Sequence, residues 1–169
     1  YEIRNCDWSS DVCSSDLKRK LSPKLRELGQ TRAGYARGSQ FVFSQHCKSL
    51  RAVGFSEAQI EAMPHWASAD CFDELERAVL ACTDDLVLSG GRVPDGTFAV
   101  LQKYLTDEAI LELTYITCMY EMHATMCRAL RLEYDDVDER ICEIPAPDED
   151  LRRMDFMSAV DRGEKLSDE

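Results

Sequence analysis

Apolar residues recur at intervals of three and four along most of the chain, the spacing that places them on one face of an α-helix. Leu21, Leu25 and Leu28 begin this pattern, and Ser22 followed by Pro23 is a typical helix start. No segment alternates apolar and polar residues over the length of a β-strand. The pattern therefore predicts an all-α fold.

Cap residues divide the pattern into further helices. Gly34 and Gly38 predict a break late in the first helix, because glycine is unfavourable inside helices. Pro64 is expected to end a short helix and to leave His65 and Trp66 in a loop, which they anchor. The remaining predicted helices cover residues 39–53, 56–63, 73–89, 94–105 and 106–132.

Composition and charge narrow the class of protein. A chain of 169 residues with 44% hydrophobic residues forms one domain with a real core. The net charge of -12 disfavours nucleic acid and anionic membranes as partners, because both require a basic surface. The chain contains neither an apolar run long enough to span a membrane nor a recognisable signal peptide, so we expect a cytoplasmic protein.

The two ends of the chain differ from its middle. Residues 1–17 have no helical or strand period, and their back-translation resembles one frame of a short-read sequencing adapter. We expect this segment to be an artefact that replaces a missing native N-terminus. Residues 133–169 carry most of the net charge and are expected to form an acidic C-terminal tail. The folded domain is therefore expected to cover residues 18–132.

Candidate chemistry begins with His46. It shares a predicted helix face with apolar neighbours, so it is either a core histidine or a partly buried acid or base. Glu27, on the preceding helix, taken alone would be a surface glutamate paired with Lys24. Tyr120 and His123 share a face of the last helix and either pack in the core or form the wall of a pocket opposite His46.

The cysteines show no metal or redox motif. No two of those after residue 17 have C-x-x-C spacing, and the chain has only three histidines, so we predict neither a metal site nor a cofactor. Without a secretory signal, we expect reduced thiols. Cys82, Cys118 and Cys127 are expected to be small core residues.

These residues together resemble a known family. Residues 23–132 are similar to the carboxymuconolactone decarboxylase-like family, which includes alkylhydroperoxidase D-like proteins. The redox branch of the family carries Glu-x11-Cys-x2-Cys-x3-His and a glycine eight residues later. This chain has Glu27, Ser39, Val42, His46 and Gly54 at those positions, so both cysteines are replaced. The decarboxylase branch has a glutamate where Val42 stands, and that residue is absent too.

The resemblance implies an AhpD-like helical bundle that assembles as a homotrimer or hexamer. It also implies a cofactor-free, decarboxylase-like lyase acting on a small organic acid or lactone, with Glu27 and His46 as the catalytic pair. The expected pocket residues are Ser39, Val42, Phe43, Tyr120 and His123. Peroxidase chemistry is disfavoured, because it requires an attacking thiolate and a resolving thiol.

Two alternatives to the lyase stay open at this stage. The first is a non-catalytic binding or assembly module of the same fold, which loss of the motif residues would suit. The second is a peroxiredoxin-type thiol peroxidase that uses cysteines outside the motif. An oligomer is expected under every alternative, because the last helix is apolar on more than one face.

Overall fold

The computed structural model describes residues 19–132. The described residues form six α-helices and one 3₁₀ helix without a strand, so the prediction of an all-α fold is confirmed. The helices are α1 (Pro23–Ala36), α2 (Gln40–Ala52), α3 (Glu57–Glu61), the 3₁₀ helix (Met63–Ser68), α4 (Glu74–Leu88), α5 (Asp95–Tyr104) and α6 (Asp107–Ala129). The predictions for residues 1–17 and 133–169 lie outside the described residues.

Helix α1 is the centre of the bundle, since it packs against α2, α4 and α6. Fully buried side chains from all four helices form the core, among them Leu28, Phe43, Leu80 and Leu113. Burying one such side chain contributes roughly 1.5–3 kcal/mol. The central position of α1 means that polar residues on its buried face are held on three sides.

The predicted helix starts are confirmed by their caps. At every α-helix except α5, a side-chain oxygen accepts a hydrogen bond from a backbone N–H of the first turn, which satisfies a donor that the helix itself cannot pair. Helix α5 follows Pro94 without a side-chain cap. The capping residues are Ser22, Ser39, Ser56, Asp73 and Thr106.

The predicted break late in the first helix occurs just before Gly38 and not at Gly34, because α1 continues through Gly34 and ends at Ala36. A Cβ atom at Gly34 would lie 2.8 Å from Val42 Cγ1, so the glycine permits a close approach of α1 and α2. Gly38, with φ of 64°, follows the end of α1 in the left-handed region. Gly54, with φ of 91°, follows α2 in the same way.

The short helix α3 ends at Glu61, before Pro64, but the prediction of a loop at His65 and Trp66 is wrong. The chain continues as the 3₁₀ helix, where Pro64 occupies the first turn and therefore lacks no hydrogen bond that the helix needs. Trp66 anchors this segment, because its Nε1–H donates to Asp84 Oδ2 at 2.9 Å. Asp84 also accepts two hydrogen bonds from the buried Arg32, which ties the segment to α1 and α4.

The exposure of the cysteine side chains tests the prediction that Cys82, Cys118 and Cys127 lie in the core. Cys82 and Cys127 are buried as expected, but Cys118 is exposed, so its assignment to the core is wrong. Cys118 lies on a face of α6 that points away from the bundle.

No helix within residues 19–132 has the length and apolar character needed to cross a membrane.

Helix α6 has an apolar face on each side. Its inner face buries Leu113, Ile116 and Tyr120 against the core. Its outer face carries exposed residues at helical spacing, which we call the α6 outer stripe: Leu111, Tyr115, Cys118, Met122 and Met126. The second apolar face expected from the sequence is therefore present and uncovered within the described chain.

Candidate functional site

The approach of α1 and α2 brings Glu27 and His46 together. Glu27 Oε2 lies 2.8 Å from His46 Nδ1, and the two side chains are only 10% and 13% exposed. The alternative of a surface glutamate paired with Lys24 is wrong, because Lys24 Nζ lies 2.7 Å from Glu76 Oε1. A paired carboxylate and imidazole shielded from water is an arrangement that can move a proton.

Glu27 has two further partners on its own helix. The Arg26 guanidinium donates to Oε1 from Nε at 3.3 Å and from Nη2 at 3.2 Å. The Gln30 side-chain nitrogen, with the amide oriented to donate, lies 3.2 Å from Oε1 and 3.0 Å from Oε2. The carboxylate is therefore surrounded by hydrogen-bond donors from three residues.

These donors decide the charge of Glu27. Burial raises the pKa of its carboxyl, but the hydrogen bond from His46 and the charges of His46 and Arg26 together lower it below the usual range. Glu27 is therefore ionised at neutral pH and can only accept hydrogen bonds. It follows that His46 Nδ1 carries a hydrogen, and that Nε2 is the nitrogen left for chemistry.

Helix α6 supplies an aromatic wall beside His46. The rings of His46 and Tyr120 meet edge to face with centroids 4.6 Å apart, and the rings of Tyr120 and His123 are 5.7 Å apart. Burial, and then the charge of His46, lowers the pKa of His123. The structure thus places Tyr120 beside His46 and His123 beside Tyr120. Tyr120 is also part of the buried core, and a role for these two rings as the wall of a pocket stays a prediction.

The other three residues of the predicted pocket lie where α1 packs against α2. Ser39 Oγ accepts the Val42 backbone N–H at 3.4 Å as the α2 cap. Val42 is the side chain that fills the space at Gly34. Phe43 is fully buried and meets the Tyr35 ring edge to face at 5.3 Å. A role for these three residues in binding a ligand stays a prediction.

Two of the buried thiols, Cys82 and Cys127, are held in the protonated form. Burial, followed by the charge of Asp85, raises the pKa of the Cys82 thiol to about 12. Burial also raises the pKa of Cys127. Within residues 19–132, no group of three or more His, Cys, Asp and Glu side chains is arranged to hold a metal ion.

Comparisons with known proteins show which family and which fold the chain resembles. The model of the carboxymuconolactone decarboxylase family matches residues 8–85, a range that begins within the segment expected to be an artefact and ends within α4. The crystal structure of an Agrobacterium tumefaciens protein of unknown function, a candidate antioxidant defence protein AhpD, superposes with a TM-score of 0.64. The two chains are 27% identical over 73% of this chain and 83% of the other. The family model and the superposition together support a carboxymuconolactone decarboxylase-like, AhpD-like assignment for this chain. No curated protein matches the chain.

The family motif explains why Glu27 and His46 were found from the sequence and why two of their neighbours were not. The AhpD-like motif fixes the spacing of Glu27 and His46 but assigns nothing to Arg26 or Gln30. Gln30 stands three residues after Glu27, the spacing at which helical side chains meet. That spacing is a signal that could have identified it once Glu27 was known to be buried.

Proposed function

We propose that the protein is a cofactor-free acid–base enzyme, a lyase of the decarboxylase type, that acts on a small organic acid or lactone. The observation that carries this proposal is the shielded contact of 2.8 Å between Glu27 Oε2 and His46 Nδ1. A carboxylate that orients an imidazole and stabilises its cationic form is a recurrent device for proton transfer.

The proton transfer is assigned to His46 Nε2. In a decarboxylation, the bond between the substrate carbon and its carboxylate breaks, carbon dioxide leaves, and the electron pair remains on the substrate as an enolate-type anion. The His46 imidazolium donates its Nε2 proton to the substrate carbon and becomes the neutral Nδ1–H form. Glu27 stabilises the imidazolium through the Nδ1–H hydrogen bond and stays ionised throughout.

Arg26 supports an acid as the substrate class. It binds Glu27 through Nε and Nη2, and Nη1 makes no hydrogen bond to the described residues. The Arg26 side chain is 20% exposed, so an incoming molecule can reach it. A guanidinium can bind a second carboxylate through its other edge. A substrate carboxylate held there would lie close to His46, because both residues bind the same carboxylate of Glu27.

Thiol peroxidase chemistry has less support in this chain. Antioxidant defence, the role given to the Agrobacterium tumefaciens protein, would here need a reactive thiolate. Ser39 and Val42 occupy the two cysteine positions of the redox motif. Cys82 and Cys127 are buried with raised pKa values, so neither is an activated nucleophile.

A non-catalytic assembly module is the second candidate, and the α6 outer stripe favours it. Leu111 and Tyr115 on this stripe are 69% and 66% exposed, which is unusual for large apolar side chains on one face. A protein that served only to bind would use this face and would leave the Glu27–His46 pair as inherited structure. Turnover therefore separates the two candidates.

The experiment is a screen of small carboxylic acids and lactones for loss of carbon dioxide or for proton exchange in D₂O, followed by NMR. We expect His46→Gln to lower turnover by about 10²–10⁴-fold, the usual contribution of a general acid or base. The matched control is His65→Gln, because His65 is an exposed histidine of the 3₁₀ helix. Equal turnover by the protein and His46→Gln, or no turnover across the panel, would reject the proposal.

A further inference from the structure

Gln30 is a buried polar residue next to the Glu27–His46 pair that the family motif does not include. It lies on the inner face of α1 and is 1% exposed. A buried amide is costly unless it is hydrogen-bonded. The partner that the structure offers its nitrogen is the Glu27 carboxylate, at 3.2 Å from Oε1 and 3.0 Å from Oε2.

The contacts of Gln30 differ from those of the other two partners. Arg26 binds only Oε1, and His46 binds only Oε2. The Gln30 nitrogen reaches both oxygens, so rotation of the carboxyl group would break at least one of its contacts. Because Glu27 is an acceptor at both oxygens, the amide must present its nitrogen and not its oxygen. Gln30 therefore has one orientation and fixes one orientation of Glu27.

We propose that Gln30 is a positioning residue of the site, which holds the Glu27 carboxylate in the plane that keeps His46 in its Nδ1–H tautomer. Its significance for catalysis rests on the proposed function, since that function uses His46 Nε2. The inference also separates the roles of the two motif residues: His46 exchanges the proton, and Glu27, with every oxygen occupied, acts through His46.

The first test removes the amide donor and keeps the size of the side chain. In Gln30→Met we expect the Glu27 carboxyl to titrate at a higher pH, because burial remains while a donor is lost. We also expect a larger fraction of the Nε2–H tautomer in the neutral His46 ring. Carbon-13 NMR of the carboxyl group and nitrogen-15 NMR of the imidazole measure these two changes.

The matched control is Thr31→Val on the next position of α1. Thr31 is fully buried, and its hydroxyl donates to the Glu27 backbone oxygen at 2.7 Å, not to the carboxylate. This variant should leave both NMR signals at their wild-type values. The inference is overturned when Gln30→Met leaves both signals unchanged, or when Thr31→Val shifts them as much as Gln30→Met does.

A second measurement uses the unsubstituted protein, in case Gln30→Met does not fold. The side-chain NH₂ signals of Gln30 should move with the same midpoint as the Glu27 carboxyl, because the amide points at the group that takes up the proton. Signals that stay fixed through the Glu27 titration would overturn the inference.

Activity distinguishes a failure of this inference from a failure of the proposed function. If a substrate is found, Gln30→Met should lower kcat more than it changes KM, since Gln30 does not touch the substrate. If the NMR results hold and no acid is turned over, the positioning role stands and the proposed function fails. If turnover is found but Gln30→Met leaves the NMR signals and kcat unchanged, the proposed function stands and the positioning role of Gln30 fails.

Discussion

At the residue scale, the site depends on how a buried carboxylate is kept charged. Burial removes the water molecules that would hydrogen-bond to the Glu27 carboxylate. Hydrogen bonds from His46, Arg26 and Gln30 replace them. Removing one partner from such a group leaves the others facing an uncompensated charge or a vacant acceptor. Changes at any of these residues are therefore expected to affect stability and ionisation together.

The pH dependence of stability follows from the lowered pKa of Glu27. Its ionised form is favoured in the folded state, so its contribution is complete above the unfolded value of 4.5 and is lost as pH falls below it. The difference in unfolding free energy between the protein and Glu27→Gln should therefore shrink as the pH falls from neutral through this region. Urea unfolding at a series of pH values measures it, with the exposed Glu61→Gln as a control for the loss of one charge. A difference that is constant with pH would contradict the prediction.

The coupling of the two histidines gives a second prediction at this scale. His46→Gln should raise the pKa of His123 towards its ordinary value of 6.5, because the charge of His46 no longer opposes protonation. The value should stay below 6.5, since burial is the larger cause and remains. Proton NMR of the imidazole signals measures it, and His65→Gln is the control. An unchanged His123 titration in His46→Gln would show that the rings are not coupled.

Individual residues were predicted unequally well from the sequence. Glu27 and His46 were accessible because the family motif fixes their spacing. Gln30 and Arg26 were not accessible from the sequence, because glutamine and arginine are as common on an exposed helix face as in a site. Only the position of α1 at the centre of the bundle shows that these side chains face a buried carboxylate. Cys118 was misplaced for the related reason that α6 has two apolar faces.

At the element scale, helix starts were predictable because caps are local chemistry. Ser56 and Asp73, for example, each form a capping box with the side chain three residues later. The role of Gly34 was not predicted, because it depends on a contact between helices and not on the local sequence. A glycine is needed there because the Val42 side chain of α2 occupies the space that a Cβ atom would fill. Pro64 was misread because a proline is tolerated in the first turn of a new helix.

The close approach at Gly34 predicts the effect of adding one methyl group. Gly34→Ala should destabilise the protein by about 1–3 kcal/mol through overpacking against Val42. It should also weaken the Glu27–His46 hydrogen bond, because the clash pushes α1 and α2 apart. The control is Gly96→Ala in α5, where nothing lies within 4 Å of the new Cβ, and it should stabilise by about 0.5–1 kcal/mol. Thermal unfolding compares the two, and equal effects would contradict the packing account.

At the scale of the whole molecule, the α6 outer stripe is the feature that the described chain leaves unsatisfied. The sequence could show that α6 is apolar on more than one face but not which face the bundle covers. The structure assigns Leu113, Ile116 and Tyr120 to the core and leaves Leu111 and Tyr115 exposed. Burial of such a stripe between copies of the chain is a common basis of homo-oligomers.

We therefore predict self-association as a homotrimer or hexamer through the α6 outer stripe. Light scattering should give a mass that is a multiple of the 19.2 kDa chain. Leu111→Glu combined with Tyr115→Glu should reduce it to that of a single chain, because charges on this face oppose its burial. Leu88→Glu, at an exposed leucine of α4, is the control and should leave the mass unchanged. A single-chain mass for the unsubstituted protein would contradict the prediction.

The most direct test of the central claim is a carbon-13 NMR titration of the Glu27 side-chain carboxyl, in the protein and in His46→Gln. The account predicts a pKa below the ordinary 4.5 in the protein. It predicts a higher value in His46→Gln, because the hydrogen bond and charge of His46 are lost while burial remains. A Glu27 carboxyl that titrates at or above 4.5 in the protein, or that does not respond to His46→Gln, would show that no coupled acid–base pair exists.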